Sequence, residues 1–373
     1  MARSMLYSQA RDKALAEIIL AQREGRIPML DGADLSKMDL RRADLSGGNI
    51  REANLSAADL SGAYICGAYM RKADLSRANL TGTNLSKAVM IGVNLIGANL
   101  SGAFMRSADL RETDLSGVNL SGADLTRANL ADATLIGTDL SRCDLSEADL
   151  SGVNLSGATL VGTDLSRANL SKAILSDANL SRANLNGANL VGANLSRSIL
   201  NKASLIEANL DLTVLSKADL SGTYANRARM RSANLVEANL SQANFSGAHL
   251  SHAYLFRAYA NKADLSKADL SKANLVGADL SETDVSRAIL RGSSLNGINL
   301  SGAYMRATDC SGAILQDAKL LGAILTNCVF VHANLQRVQA TRQEFADVDI
   351  NALNNIVIDP YTARQLGIFI TGA

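Results

Sequence analysis

Few side chains in this sequence could do chemistry. It has three histidines: His249 and His252 on either side of Leu250, and His332 far along the chain. Asp and Ser are so abundant that a Ser–His–Asp set can be drawn from almost any segment, so finding one carries no information. Glycines fall singly at five-residue steps, not as the phosphate-cradling GxxxxGK motif. The four cysteines (66, 143, 310 and 328) show neither metal-ligand nor disulfide spacing. No catalytic, cofactor or metal residue is assigned, and the chain reads as a non-enzyme. What remains is surface chemistry, in two clusters. Residues 109–150 carry nine acids against three bases, which makes an acidic belt. From 224 to 259 the stretches "YANRARMR" and "HLSHAYLFRAYA" gather arginines and aromatics.

The elements that hold these clusters follow from one spacing. In "SRANLNGANLVGANLSRSIL" (181–200) Leu recurs every fifth residue, with a small residue two places earlier. On an α-helix five residues advance roughly 500°, so no apolar stripe forms. On a straight strand, residues five apart face opposite sides. A short extended piece that points Ala and Leu inward, then turns a corner, buries both. From Leu35 to Leu335 there are (335−35)/5+1 = 61 units, and 48 of their central residues are Leu. The exceptions are mostly apolar, among them Ile50, Met70, Phe245 and Phe330. Asp or Asn usually precedes the Leu, and Ser follows it; both are turn formers.

The unit A-(D/N)-L-(S/T)-x over 30–340 resembles the pentapeptide repeat family. The resemblance implies an all-β solenoid: a right-handed quadrilateral β-helix with four pentapeptides per coil, about 15 coils, and a straight rod on the order of 70 Å long at roughly 4.8 Å per coil. Residues 20 apart then stack in columns. Asp124, Asp144 and Asp164 form one, and Val236, Phe256 and Val276 another.

The ends differ from the repeat. Residues 1–29 read as an N-terminal capping helix over 4–24, with Ser4 as N-cap and Tyr7, Ala10, Ala14, Ile18 and Ala21 on one face. Gly25 and Pro28 stop it. Residues 341–373 read as a partly helical C-terminal cap. This keeps the register at Phe345 and Ile350, then forms a short helix from Asp359-Pro360 to Gly367. Apolar "GIFI" (367–370) is a candidate either for packing on the last coil or for a dimer contact, and either end offers a route to self-association.

Composition narrows the partners. Net charge is +1, which gives no overall argument for nucleic acid or membrane. No stretch reads as a signal peptide or membrane span, so the cytoplasm is expected. The acidic belt candidates are Asp109, Asp124, Asp144, Glu147, Asp149 and Asp164. The partner patch candidates are Arg227, Arg229, Arg231, Val236, Tyr254, Phe256, Arg257 and Tyr259, since interfaces enrich aromatics and Arg. Ala225 and Ala260 replace inward Leu and leave room for a neighbouring aromatic to lean in. Three Arg fall short of a basic stripe, so direct nucleic-acid binding is not expected. The leading expectation is a scaffold that binds an unidentified protein. The resemblance also implies two alternatives: a DNA-mimic modulator of gyrase or topoisomerase, and a secreted bacterial effector.

Overall fold

After each central Leu the chain turns within two residues. Ala33 N–H donates to the Leu30 carbonyl at 3.0 Å, closing a four-residue turn, and the same bond recurs down the chain. The second turn residue is left-handed, with φ 63° at Gly82 and 59° at Lys87, as a type II turn requires. A Cβ at Gly82 would meet nothing within 4 Å. Glycine is favoured there by backbone conformation alone, worth about 1 kcal/mol over other residues.

The next three residues are extended and point in, out, in. Ala53 and Leu55 are fully buried, and Asn54 between them is partly exposed. Their backbone is satisfied by the neighbouring coils. Leu35 N–H donates to the Asn54 carbonyl (2.7 Å), Asn54 N–H to Ala33 (2.9 Å), and Lys37 N–H to Ser56 (2.9 Å). The bridges are parallel and 20 residues apart, as in Asp34, Asn54, Asp74 and Asn94. Four pentapeptides therefore make one coil. Each side contributes a single bridged residue rather than a long strand.

The computed structural model describes residues 2–368. The chain divides into two compact units, 1–184 and 185–373, and the repeats in each are coiled in this way. In the first, bridges run from Met29–Asn49 to Asp164–Asn184. In the second they run from Asn189–Asn209 to Lys319–Gln339.

The interior is Leu over Leu and Ala over Ala, and each buried Leu contributes roughly 1.5–3 kcal/mol. Polar inward residues are satisfied. Thr83 Oγ1 donates to the Leu60 carbonyl of the preceding coil at 2.8 Å, and Thr163 does the same to Leu140 at 2.7 Å. Cys143 Sγ sits 2.8 Å from the Leu120 carbonyl and Cys328 Sγ 2.7 Å from Met305. These thiols take the donor role of Thr, which is more than filling space.

Ala225 is compensated from inside the coil. It stacks in one column with Phe245, whose ring is 1 % exposed. No outer aromatic leans inward; Tyr224, Tyr254 and Tyr259 stay exposed. Beside Ala260, a cavity of about 10 Å³ remains, lined by Leu240, Phe245 and Leu255 among others.

Helix α1 spans Ala2–Glu24. Ser4 lies inside it, so Ser4 is not the N-cap. Gly25 adopts φ 62° and Arg26 N–H reaches back to the Ala21 carbonyl at 3.0 Å, a Schellman ending. Ala14, Ile18 and Ala21 are buried; the side chains of Tyr7 and Ala10 lie outside the described set. Arg11 Nη2 donates to Ser36 Oγ at 2.7 Å, and Glu17 accepts from Met29 N–H at 2.9 Å and from Arg26 at 2.6 Å. The Arg26 and Met29 bonds hold the Glu17 carboxyl down at about 2.

At the other end the register breaks at 341, earlier than expected. Asn334 pairs with Val357, 23 residues on. The segment lacks an Asx before Phe345. Glu344 folds back instead, accepting from Thr341 N–H (2.6 Å) and Gly322 N–H (2.9 Å). Phe345 packs on Phe330 with ring centroids 5.8 Å apart, and Ile350–Leu353 is a short 3-10 helix. Helix α2 spans Pro360–Leu366. Asp359 caps it through Thr362 N–H, and it closes on Gly367 at φ 70°. Residues 369 and 370 of the apolar tail lie outside the described residues. No described helix is long and apolar enough to cross a membrane.

Candidate interaction surfaces

Outward chemistry sits at two kinds of position: the bridged Asx and the corner pair. The Asx has a structural duty. Asp124 Oδ1 accepts from Thr126 N–H (3.0 Å) and Thr126 Oγ1 (2.6 Å). Asn54 Oδ1 does the same for Ser56, at 3.1 and 2.6 Å. Only one oxygen is needed, so Asp and Asn interchange. In several columns where Asn follows Asp it also donates across the coils, as Asn79 does to Asp59 at 3.0 Å.

The acidic belt in the first unit is accounted for residue by residue. Asp124, Asp144 and Asp164 do stack as one column, with no Asn between them. Burial works to raise the Asp144 carboxyl, but bonds from Ser146 and Thr126 outweigh it and hold it below the usual range. Arg106 approaches Asp124 at 3.8 Å. Asp109 and Asp149 stack on a different face through Asn129. Asp109 is paired with Arg111 at 2.8 Å, and Glu147 with Arg127 at 2.8 Å. The belt therefore divides between faces, and part of its charge is neutralised in place.

The patch in the second unit divides as well. Bridges define four faces in chain order: Tyr224–Asn244, Arg229–His249–Asp269, Asn234–Tyr254–Asn274, and Asn239–Tyr259–Asp279. Arg229 lies on the second face, with Arg227 and Arg231 at its two corners. Tyr254 lies on the third face and Tyr259 on the fourth. Phe256 stands on the corner between those two, stacked between Val236 and Val276. Its ring is covered by the Arg257 guanidinium at 5.0 Å, a cation–π contact worth about 0.5–1 kcal/mol.

The three arginines are not part of that aromatic corner, because they answer to acids in the coil before. Asp211 occupies a corner position where Ser is usual, and it is 9 % exposed. It accepts from Arg231 N–H (2.9 Å), Arg231 Nη2 (2.7 Å) and Arg229 Nη2 (3.0 Å). Burial pushes the Asp211 carboxyl up, and the bonds to Arg231 and Arg229 outweigh it, holding it low. Arg227 approaches Glu207 at 3.6 Å. Asp211 was absent from the sequence reading. Its signal was the break from Ser in "NLDLTVL" (209–215) one coil before Arg231.

With this geometry in hand, the family is decided by a repeat model. The model for pentapeptide repeats matches in successive segments from 29–56 and 58–95 through to 308–342. The chain belongs to the pentapeptide repeat family. Among solved pentapeptide repeat structures, HetL from the cyanobacterium Nostoc, a protein involved in heterocyst differentiation regulation, is 34 % identical. The match covers 59 % of this chain and 90 % of that one at a TM-score of 0.28. QnrB1, a plasmid-mediated fluoroquinolone resistance protein, is 20 % identical over 76 % of this chain and 100 % of its own, TM-score 0.19. A thylakoid-lumen pentapeptide repeat protein of Arabidopsis thaliana is 30 % identical over 34 % and 66 %, TM-score 0.15. No curated protein matches.

Proposed function

We propose that this pentapeptide repeat protein is a non-enzymatic scaffold that holds a partner protein at the Phe256 corner. One observation carries the reading. Tyr254 and Tyr259 are 52 % and 55 % exposed and flank Phe256 and Arg257 on two adjoining faces. Large rigid aromatics beside Arg are the side chains that anchor protein interfaces. The coil beneath is held by backbone ladders and caps, so the corner is preorganised and little entropy is lost when it docks. The cytoplasm is the setting that suits four free cysteines.

The test is a cross-linking pull-down with wild type beside Tyr254→Ala/Phe256→Ala/Tyr259→Ala. A defined protein captured by wild type and lost by the variant is expected, with unchanged circular dichroism. Capture of the same proteins by both would sink the reading.

A second reading uses the Asp124–Asp144–Asp164 column as a local mimic of duplex phosphates aimed at a topoisomerase. Changing all three to Asn tests it cleanly, since Asn keeps the turn-closing oxygen and removes the charge. Loss of gyrase protection from quinolone-stabilised cleavage would support the mimic. Unchanged protection, or none in wild type, would end it.

A further inference from the structure

The twenty-residue register assembles a basic face beyond the reach of the local cluster at 227–231. It is the second face of the second unit, with its two corners. Along one corner run Arg227, Lys267 and Arg287. Along the other run Arg231, Lys272 and Arg291. Both rows place cations on the same three coils and skip the coil of Gly247 and His252. Between the rows the face itself carries Arg229, His249, Asp269 and Ile289. Across these four coils the surface has seven cations and one acid.

The acids at its margins are Glu207, Asp211 and Asp309. They hold arginines in place: Glu207 takes Arg227, Asp211 takes Arg229 and Arg231, and Asp309 takes Arg291. Among the described residues Lys267, Lys272 and Arg287 enter no ion pair, and all three are exposed. Asp269 is committed to its own turn, accepting from Ser271 N–H at 3.0 Å. The other faces of the same coils carry Glu237, Asp264, Asp279, Glu282 and Asp284 against Arg257 and Lys262. Charge is therefore segregated locally, although the whole chain is near neutral.

We propose that this face binds double-stranded nucleic acid through its phosphates, without reading sequence. Three features select that partner. Four coils place the cations within roughly 14 Å along the face, and three extended residues separate the rows by roughly 10 Å. Over 14 Å a duplex presents about eight phosphates, about half of them toward one side. That density suits six cations held on two rigid rows. Among the described residues the face offers no Phe, Tyr or Trp ring on which single-stranded bases could stack, only the imidazoles of His249 and His252. It also offers no loop or helix to enter a groove, so base edges go unread. Backbone ladders fix the rows, and the marginal acids fix four of the guanidiniums. This site is separate from the Phe256 corner, and either can fail alone.

The test is fluorescence anisotropy of a labelled 20-base-pair duplex of arbitrary sequence between 50 and 200 mM salt. Wild type should bind with a log–log salt slope of about −4, as four neutralised phosphates give. Lys267→Gln/Lys272→Gln/Arg287→Gln should flatten the slope by about 2–3 and weaken binding at least tenfold at 50 mM. Lys37→Gln/Lys72→Gln/Lys172→Gln in the first unit should change neither. Thermal melting of each variant checks folding. No binding at 50 mM, or the same slope in the first triple variant, would overturn the proposal. So would tighter binding to single-stranded DNA, to polyglutamate or to phosphatidylserine vesicles than to the duplex.

Discussion

At the scale of the residue, position in the pentapeptide decides chemistry more than residue type does. Four thiols share one sequence but not one reactivity. Burial raises the Cys143 and Cys328 thiols to about 12 and lifts Cys310 well above its usual value. A thiolate is the nucleophile, so these three are inert in the native state. Cys66 alone follows a central residue on the outside, where it is partly exposed. An aromatic disulfide reagent near pH 8 should therefore titrate one thiol in native protein and four in denaturant. Cys66→Ser should bring the native count to zero. A native count of two or more would mean that the coil opens enough to expose its interior. The same rule separates Asp from acidity. Asp124 and Asn54 close identical turns, so an acid at that position is weak evidence of a functional charge. This is why the belt at 109–150, conspicuous in composition, breaks up once its oxygens and ion pairs are traced.

At the scale of the coil, the unit of packing is the column, and columns set which substitutions compensate. Ala225 and Phe245 are neighbours in one column at one coil's spacing, so a small residue makes room for a large one. Ala225→Leu alone forces extra carbons against Phe245 and should cost about 1–3 kcal/mol. Phe245→Leu alone leaves a void and should cost about 1–2 kcal/mol. Together they restore Leu over Leu, so the double variant should be close to wild type, with a coupling energy near the sum of the single losses. Urea unfolding of the four proteins measures it. Additive losses would show that Ala225 answers to something else. This column also shows how far the sequence could be read. The step of five made the inward pair and the corners legible from Leu35 to Leu335, while the four-sided coil was what the resemblance to the pentapeptide repeat family implied. The compensation was not legible, because Ala225 and Phe245 look like unrelated exceptions until the 20-residue register is applied. The candidate patch divides between faces for the same reason. Arg229 and Tyr259 are close in sequence, yet the corners turn them onto opposite faces, and Lys267, Lys272, Arg287 and Arg291, which share the face of Arg229 and its corners, lie 38 to 62 residues further on. The C-terminal helix was legible at both ends, since Asp359-Pro360 and Gly367 are local signals. The register break at 341 was not, because Phe345 stays buried after the coil geometry has gone.

At the scale of the whole molecule, stability within each of the two units is distributed coil by coil. Within each unit a coil is hydrogen-bonded to the coil before and the coil after, so opening an interior coil breaks two ladders while opening one at an end breaks one. Such solenoids behave as nearest-neighbour arrays. Protection against hydrogen exchange in the first unit should therefore rise from its N-terminal end toward its interior rather than being uniform. Helix α1 bears on the first coil through Ala14, Ile18 and Ala21 and through the Arg11–Ser36 and Glu17–Met29 bonds. Removing residues 2–27 exposes Leu30 and Leu35 and frees the backbone they cover. Exchange measured by mass spectrometry should then quicken over about 29–50 and stay as in wild type over 80–160. If the loss spread evenly across the first unit, α1 would be part of one cooperative fold and the nearest-neighbour account would fail. If exchange over 29–50 did not change, the Leu30 coil would be stable without its helix, and α1 would be free to serve a partner.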